Sequence, residues 1–88
     1  MATYYLDQEI ELICSFKDED DQLFDPTSVT CEVTEPGGSS TMYTYDSSIE
    51  RIELGLYRLV IFGDVRGQWL YRWEGDSHVV DEQRFRVL

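Results

Sequence analysis

The chain has 88 residues, of which 42 % are apolar and 14 % aromatic, and its formal net charge is −11. This length favours one domain spanning residues 1–88, and the apolar and aromatic content is too high for a disordered acidic tail. The excess negative charge repels phosphate backbones and anionic lipids, so a basic or mixed protein surface is a better partner than nucleic acid or a membrane.

The first residues, MATYYLDQEI, contain neither a basic segment nor a long apolar segment. They therefore lack the features of a secretory signal, and we expect synthesis in the cytoplasm. No apolar run in the sequence approaches the ~20 residues that a membrane-spanning helix needs. Residues 1–7 are predicted to form either an extended arm that binds another protein or a strand packed on its own domain.

Apolar and polar residues alternate along most of the chain, which is typical of strands with one buried face. Within QEIELICSFK, the apolar face comprises Ile10, Leu12, Cys14 and Phe16. Within VTCEVTE, it comprises Val29, Cys31 and Val33. The two cysteines are expected to be buried thiols, with a cross-strand disulfide as the alternative.

The segment between these two strands is rich in carboxylates, the ligands that Ca²⁺ prefers. The candidate ligands are Asp18, Asp20, Asp21 and Asp25. Their spacing differs from that of an EF-hand, because Leu23 stands where the turn glycine is required. A solvated acidic loop is the favoured interpretation and weak Ca²⁺ binding the alternative. No other metal site and no cofactor is predicted.

The middle of the chain begins with a turn at PGGSS, followed by TMYTYD with Tyr43 and Tyr45 on one face. SSIERIEL is ambiguous between a short strand and an irregular edge. In GLYRLVIF the core face comprises Tyr57, Leu59 and Ile61. Because Val60 and Phe62 are apolar as well, we expect this strand to be partly covered on both sides.

The segment QWLYRWEG places Trp69, Tyr71 and Trp73 on one face of a strand. In so small a chain these rings are expected in the core, where each indole N–H needs an acceptor. The alternative is an exposed platform for carbohydrate or peptide. Arg72 is expected to point outward and to pair with Glu74, Glu82 or Asp81.

The last strand, VVDEQRFRVL, places Phe85 and Val87 on the core face. The whole chain then contains about seven short strands and no helical periodicity, which predicts an all-β sandwich of two sheets. The predicted central core residues are Tyr57, Trp69, Tyr71, Trp73 and Phe85.

The sequence lacks the residue pattern of an enzyme. His78 is the single histidine, it lies in a polar turn, and no nucleophile accompanies it. The glycines of PGGSS and GDVRG form turns and do not open a helix, so they do not form a phosphate site. No catalytic residue is predicted.

Four segments, residues 33–38, 55–57, 67–73 and 85–87, resemble small immunoglobulin-like β-sandwich proteins of tailed bacteriophages and prophages. Similar modules occur in bacterial surface adhesins. The resemblance implies about seven antiparallel strands in two sheets. The chain departs from antibody-type domains, because Cys14 and Cys31 lie on successive strands, where the usual inter-sheet disulfide is not expected.

The same resemblance implies a non-enzymatic structural protein of the virion, made in the bacterial host cytoplasm. Its role would be capsid cement or decoration, or a small head–tail component. Its expected partner is a major capsid or other virion protein, with self-association as an additional option, and Tyr4, Tyr5 and Leu6 are the candidate anchors. The alternative is a carbohydrate- or Ca²⁺-binding adhesion module on a host-facing structure.

Overall fold

The computed structural model describes residues 2–88, which form eight β-strands and no α-helix. The strands are β1 (Ala2–Tyr4), β2 (Glu9–Ser15), β3 (Val29–Thr34), β4 (Ser40–Thr44), β5 (Glu50–Glu53), β6 (Leu56–Phe62), β7 (Gly67–Gly75) and β8 (His78–Val87). They form a five-stranded sheet in the order β1–β8–β7–β3–β4 and a three-stranded sheet in the order β2–β6–β5. Residues 2–88 also contain no helix that is long and apolar enough to cross a bilayer.

The all-β, two-sheet prediction is confirmed, with two differences in detail. The structure has eight strands where about seven were expected, because residues 2–4 form β1. This strand runs parallel to β8, with Ala2 opposite Phe85, whereas the other strand pairs among residues 2–88 are antiparallel. Alternation carries no information on strand direction, so the parallel pair was not predictable from it.

The core lies between the two sheets and is built from the alternating apolar faces. The three-stranded sheet contributes Ile10, Leu12, Cys14, Tyr57, Leu59 and Ile61. The five-stranded sheet contributes Val29, Cys31, Val33, Trp69, Trp73, Phe85 and Val87. Each set follows the period of two predicted from the sequence, since successive side chains on a strand point to opposite sides of the sheet.

Three side chains differ from their expected environments. Val60 and Phe62 are 37 % and 59 % exposed, so the outer face of β6, expected to be partly covered, is open to solvent. No third layer lies over the outer face of the three-stranded sheet in residues 2–88. Tyr71 is only partly buried and packs at the margin of the core, with its ring centroid 6.0 Å from that of Phe85.

The cysteines are buried as expected, but the geometry given for the departure from antibody-type domains is wrong. Cys14 and Cys31 are both buried free thiols. However, β2 and β3 are consecutive in the chain and lie in opposite sheets. Their position on successive strands is therefore no reason to exclude an inter-sheet bridge, because the chain crosses between the sheets after β2.

Candidate protein-binding surface

Exposed apolar side chains adjoin one another on the outer face of the three-stranded sheet. Ile13 on β2 is 45 % exposed, and Val60 and Phe62 lie on the neighbouring strand β6. Ile13 is opposite Arg58 and therefore lies diagonal to Val60 on the same face. We call Ile13, Val60 and Phe62 the outer apolar patch.

Charged residues surround this patch. Glu9 and Glu11 lie opposite Phe62 and Val60 in the β2–β6 register. The Arg58 guanidinium donates to Glu11 Oε2 at 2.9 Å and to Glu50 Oε2 at 3.5 Å. These pairs are solvent-exposed, so each contributes little to stability, and their main effect is to give the patch a polar border.

A groove of about 360 Å³ lies beside the patch, between β6 and the edge of the five-stranded sheet. Its apolar lining includes Val33, Tyr43 and Trp69. The Trp69 indole N–H donates to the Val65 carbonyl at 2.8 Å, which fixes the ring in the wall of the groove. Glu35, Ser39, Thr41 and Asp64 also line the groove, so its lining mixes apolar, hydroxyl and acidic side chains.

The predicted anchors of the N-terminal segment have three different environments. Tyr4 packs edge-on against Phe85, with ring centroids 5.5 Å apart. Leu6 packs partly buried against the core, and its backbone N–H donates to the Leu88 carbonyl at 3.2 Å. Tyr5 is 71 % exposed. The structure thus places this segment on its own domain, and the role of these residues in partner binding stays a prediction.

The four candidate calcium ligands do not converge. Asp18 Oδ1 accepts the backbone N–H groups of Asp20 and Gln22, as is usual in a tight turn. Asp21 Oδ1 lies 3.6 Å from Lys17 Nζ. The Asp25 carboxylate instead accepts a hydrogen bond from Arg51. No group of three potential metal-binding side chains occurs in residues 2–88.

Asp25 forms a hydrogen-bond network that the sequence analysis missed. Its carboxylate accepts from Arg51 Nε at 3.0 Å, from the Gly55 backbone N–H at 2.9 Å and from the Tyr57 hydroxyl at 3.0 Å. The Arg51 guanidinium and then the Gly55 N–H hold the pKa of this carboxyl below its ordinary value of 3.8. The one sequence signal was its position in LFDP, away from the run of acidic residues.

The aromatic strand β7 contributes to the core and does not display a platform. Trp69 and Trp73 are both buried. Only the Trp69 indole has an acceptor, while Trp73 Nε1 is buried without a hydrogen-bond partner. Arg72 points outward and donates to Glu82 at 3.0 Å, as expected. His78 is exposed at the start of β8.

Comparison with solved structures supports the fold. No family model matches the sequence, and no similar protein was found among curated proteins. The Lin-41 filamin domain matches 98 % of this chain and 82 % of its own, with a TM-score of 0.78 and 14 % identity.

Two further solved structures contain IG1 domains. In the ZIG-8 IG1 homodimer the match covers 99 % of this chain and 77 % of that chain, with a TM-score of 0.51 and 15 % identity. In the ZIG-8–RIG-5 IG1–IG1 heterodimer it covers 99 % and 80 %, with a TM-score of 0.53 and 14 % identity. At these identities the comparisons show an immunoglobulin-like or filamin-type sandwich.

Proposed function

We propose that the chain is a non-enzymatic structural protein of a tailed-phage virion that binds a capsid or other virion protein. The observation that carries this proposal is the outer apolar patch, which is exposed on a strongly acidic domain. Apolar side chains that adjoin one another on a surface mark interaction sites more often than scattered ones do. The resemblance of four sequence segments to small phage proteins supports the virion as the setting.

Two further observations support binding to another protein. Two of the similar solved structures are a homodimer and a heterodimer, so domains of this fold do associate with protein partners. The net charge of −11 makes two copies of this chain repel one another. A partner with a basic or mixed surface is therefore favoured over self-association, and a shell presents many identical copies of its surface.

Purified particles test the proposal. Particles are prepared from the encoding phage or prophage with the gene intact and with the gene deleted, and their proteins are quantified by mass spectrometry. We expect the chain in intact particles at a fixed ratio to the capsid protein. We also expect purified chain to co-sediment with the deleted particles.

Two matched substitutions locate the contact. Ile13→Ser alters the outer apolar patch, and Val79→Ser alters an exposed valine on β8 in the other sheet. We expect Ile13→Ser to weaken co-sedimentation by roughly tenfold and Val79→Ser to leave it unchanged. Absence of the chain from intact particles contradicts the proposal, and equal binding by the two variants contradicts the assigned surface.

A further inference from the structure

Strand β6 has an edge that β5 covers only in part. On one side, β6 pairs with β2 along its whole length from Leu56 to Phe62. On the other side, β5 pairs only with residues 56–58 of β6. Beyond Arg58, this second edge has no neighbouring strand in the described part of the chain. The chain instead turns away before β5, where the N–H groups of Ser48 and Ile49 donate to the Thr44 carbonyl.

The register shows which backbone groups the open edge presents. The Phe16 N–H donates to the Gly55 carbonyl at 2.7 Å, and the Gly63 N–H donates to the Gln8 carbonyl at 3.2 Å. In an antiparallel ladder the direction of the bonds alternates, so odd-numbered residues of β6 bond to β2 and even-numbered residues point the other way. Both backbone groups of Val60 and the N–H of Phe62 therefore face the open edge.

The open edge borders the groove described above. The five-stranded sheet extends beyond the three-stranded sheet at β4, so Thr41 and Tyr43 line the groove with no strand facing them. A strand added beside β6 would lie opposite β4 and would direct every second side chain into this space. Its inward side chains would pack near Trp69 and Tyr43, so apolar residues are favoured at the alternate positions that meet these rings.

The charges around the edge select the composition of such a strand. Glu35 and Asp64 line the groove, whereas Glu9 and Glu11 lie on β2, on the other side of β6 from the open edge. The two groove carboxylates and the net charge of −11 favour lysine or arginine in the added segment and oppose a second copy of this acidic chain. Residues 60–62 (VIF) contain no lysine and no proline, the residues that commonly block such edges.

We propose that the edge of β6 at Val60 and Phe62 binds an extended segment of a partner protein in which apolar and basic residues alternate. The segment completes the three-stranded sheet beyond β5, with main-chain hydrogen bonds supplying affinity and the groove supplying selectivity. This inference rests on the proposed protein-binding function and names the element of the partner that is bound.

A synthetic peptide of alternating valine and lysine, blocked at both ends, is the probe. Titrated into the ¹⁵N-labelled chain, it should shift and protect from exchange the amide signals of Val60 and Phe62. A peptide with glutamate in place of lysine should bind at least about tenfold more weakly. A peptide N-methylated on the edge-facing amides should not bind, because it cannot donate to β6. Equal binding by all three peptides overturns the proposal.

Two proline variants provide the matched test on the protein. Val60→Pro removes an N–H that points away from β2, so the ladder between β2 and β6 is kept. Met42→Pro does the same on β4, where the Tyr45 N–H bond to the Val29 carbonyl shows that even-numbered residues face outward. We expect Val60→Pro to weaken peptide binding at least about tenfold and Met42→Pro to leave it within about twofold.

The outcomes separate this inference from the proposed function. Retained peptide binding by Val60→Pro, or loss with Met42→Pro alone, overturns the assignment to β6. If Val60→Pro co-sediments with particles normally while Ile13→Ser does not, the virion function stands and the strand-addition inference fails. If the peptide binds at Val60 but the chain is absent from particles, the virion function fails. Should Val60→Pro not fold, the N-methylated peptide decides.

Discussion

At the scale of single residues, Asp25 joins parts of the chain that are distant in sequence. Its carboxylate connects the loop before β3 to Arg51 on β5, to the turn at Gly55 and to Tyr57 on β6. Three donors around one carboxylate stabilise its charged form. The acidic loop residues nearby make only local contacts, so Asp25 is the carboxylate of this segment whose loss matters for the fold.

We predict that Asp25→Asn lowers the free energy of unfolding at neutral pH and makes that free energy less dependent on pH in the acid range. Because the folded pKa lies below 3.8, the unfolded chain binds a proton here at pH values where the folded protein does not. The stabilisation by Asp25 is therefore complete above pH 3.8 and is lost as the pH falls through the pKa of Asp25 in the folded protein. Urea midpoints measured over this range check it, with Asp20→Asn as the control. Identical acid profiles for wild type and Asp25→Asn contradict it.

The two tryptophans differ in how their indole N–H groups are satisfied. Trp69 donates to the Val65 carbonyl at 2.8 Å, whereas Trp73 Nε1 is buried without a partner. A buried donor without an acceptor is destabilising, and an acceptor that loses its donor is destabilising as well. The two rings therefore make unequal polar contributions although both are buried in the same strand.

We predict that Trp69→Phe destabilises the protein more than Trp73→Phe, by about 1 kcal/mol. Both substitutions remove a similar volume from the core. Trp69→Phe also leaves the Val65 carbonyl without its donor, while Trp73→Phe removes an unpaired N–H. Urea unfolding followed by far-ultraviolet circular dichroism measures the difference. A Trp73→Phe variant less stable than Trp69→Phe would contradict the prediction.

At the scale of elements, the β5–β6 turn depends on Gly55. Its φ is +72°, and a Cβ built on it would lie 3.0 Å from the Phe16 carbonyl oxygen and from the backbone N and O of Phe24. All three atoms belong to the backbone, so none can move aside easily. The turn is thus closely packed on the segment that follows β2.

We predict that Gly55→Ala destabilises the protein by about 2–4 kcal/mol, the sum of backbone strain and steric overlap. Gly38→Ala is the control, because Gly38 also has a positive φ of +101° but has no atom within 4 Å of the added Cβ. We expect Gly38→Ala to lower the free energy of unfolding by about 1 kcal/mol. Chemical denaturation of both variants tests the prediction, which fails if the two costs are equal.

At the scale of the whole molecule, the two thiols lie in the core where the two sheets pack together. Cys14 belongs to the three-stranded sheet and Cys31 to the five-stranded sheet, and both face the core. Burial, with a smaller contribution from Asp81, raises the pKa of Cys14 to about 12. Burial is the largest cause that raises the pKa of Cys31 to about 12, and the electrostatic effect of Cys14 is the second. The folded protein therefore keeps both thiols protonated.

We predict that stability falls as the pH rises above 9.0, the ordinary thiol pKa. Below that value both states hold the proton, and above it only the folded state does, so ionisation favours the unfolded chain. The loss should be about 1 kcal/mol per thiol over the first pH unit. Urea unfolding of wild type and of the Cys14→Ala/Cys31→Ala variant checks this. A loss of equal size in the double variant contradicts it.

The alternation predicted the core well and the surface less well. Ile10, Leu12 and Val29 are buried as their positions indicate, because burial of one strand face is a local property. Phe62 shows the limit of that pattern. It is as apolar as a core residue but lies on the outer face, and nothing local distinguishes it from a residue under a third layer. The open edge of β6 was unpredictable because it results from where β5 ends.

The sequence alone determined that the chain forms strands, which face of each is buried, and that the tryptophans of β7 lie in the core. These features follow from side-chain chemistry at a spacing of two residues. Only the tertiary structure decided which strands share a sheet, that β1 runs parallel to β8, that Asp25 meets Arg51, and that β6 keeps an open edge. The reason is physical: strands pair through backbone groups that nearly all residues share, so the choice of neighbour depends on how the whole chain packs.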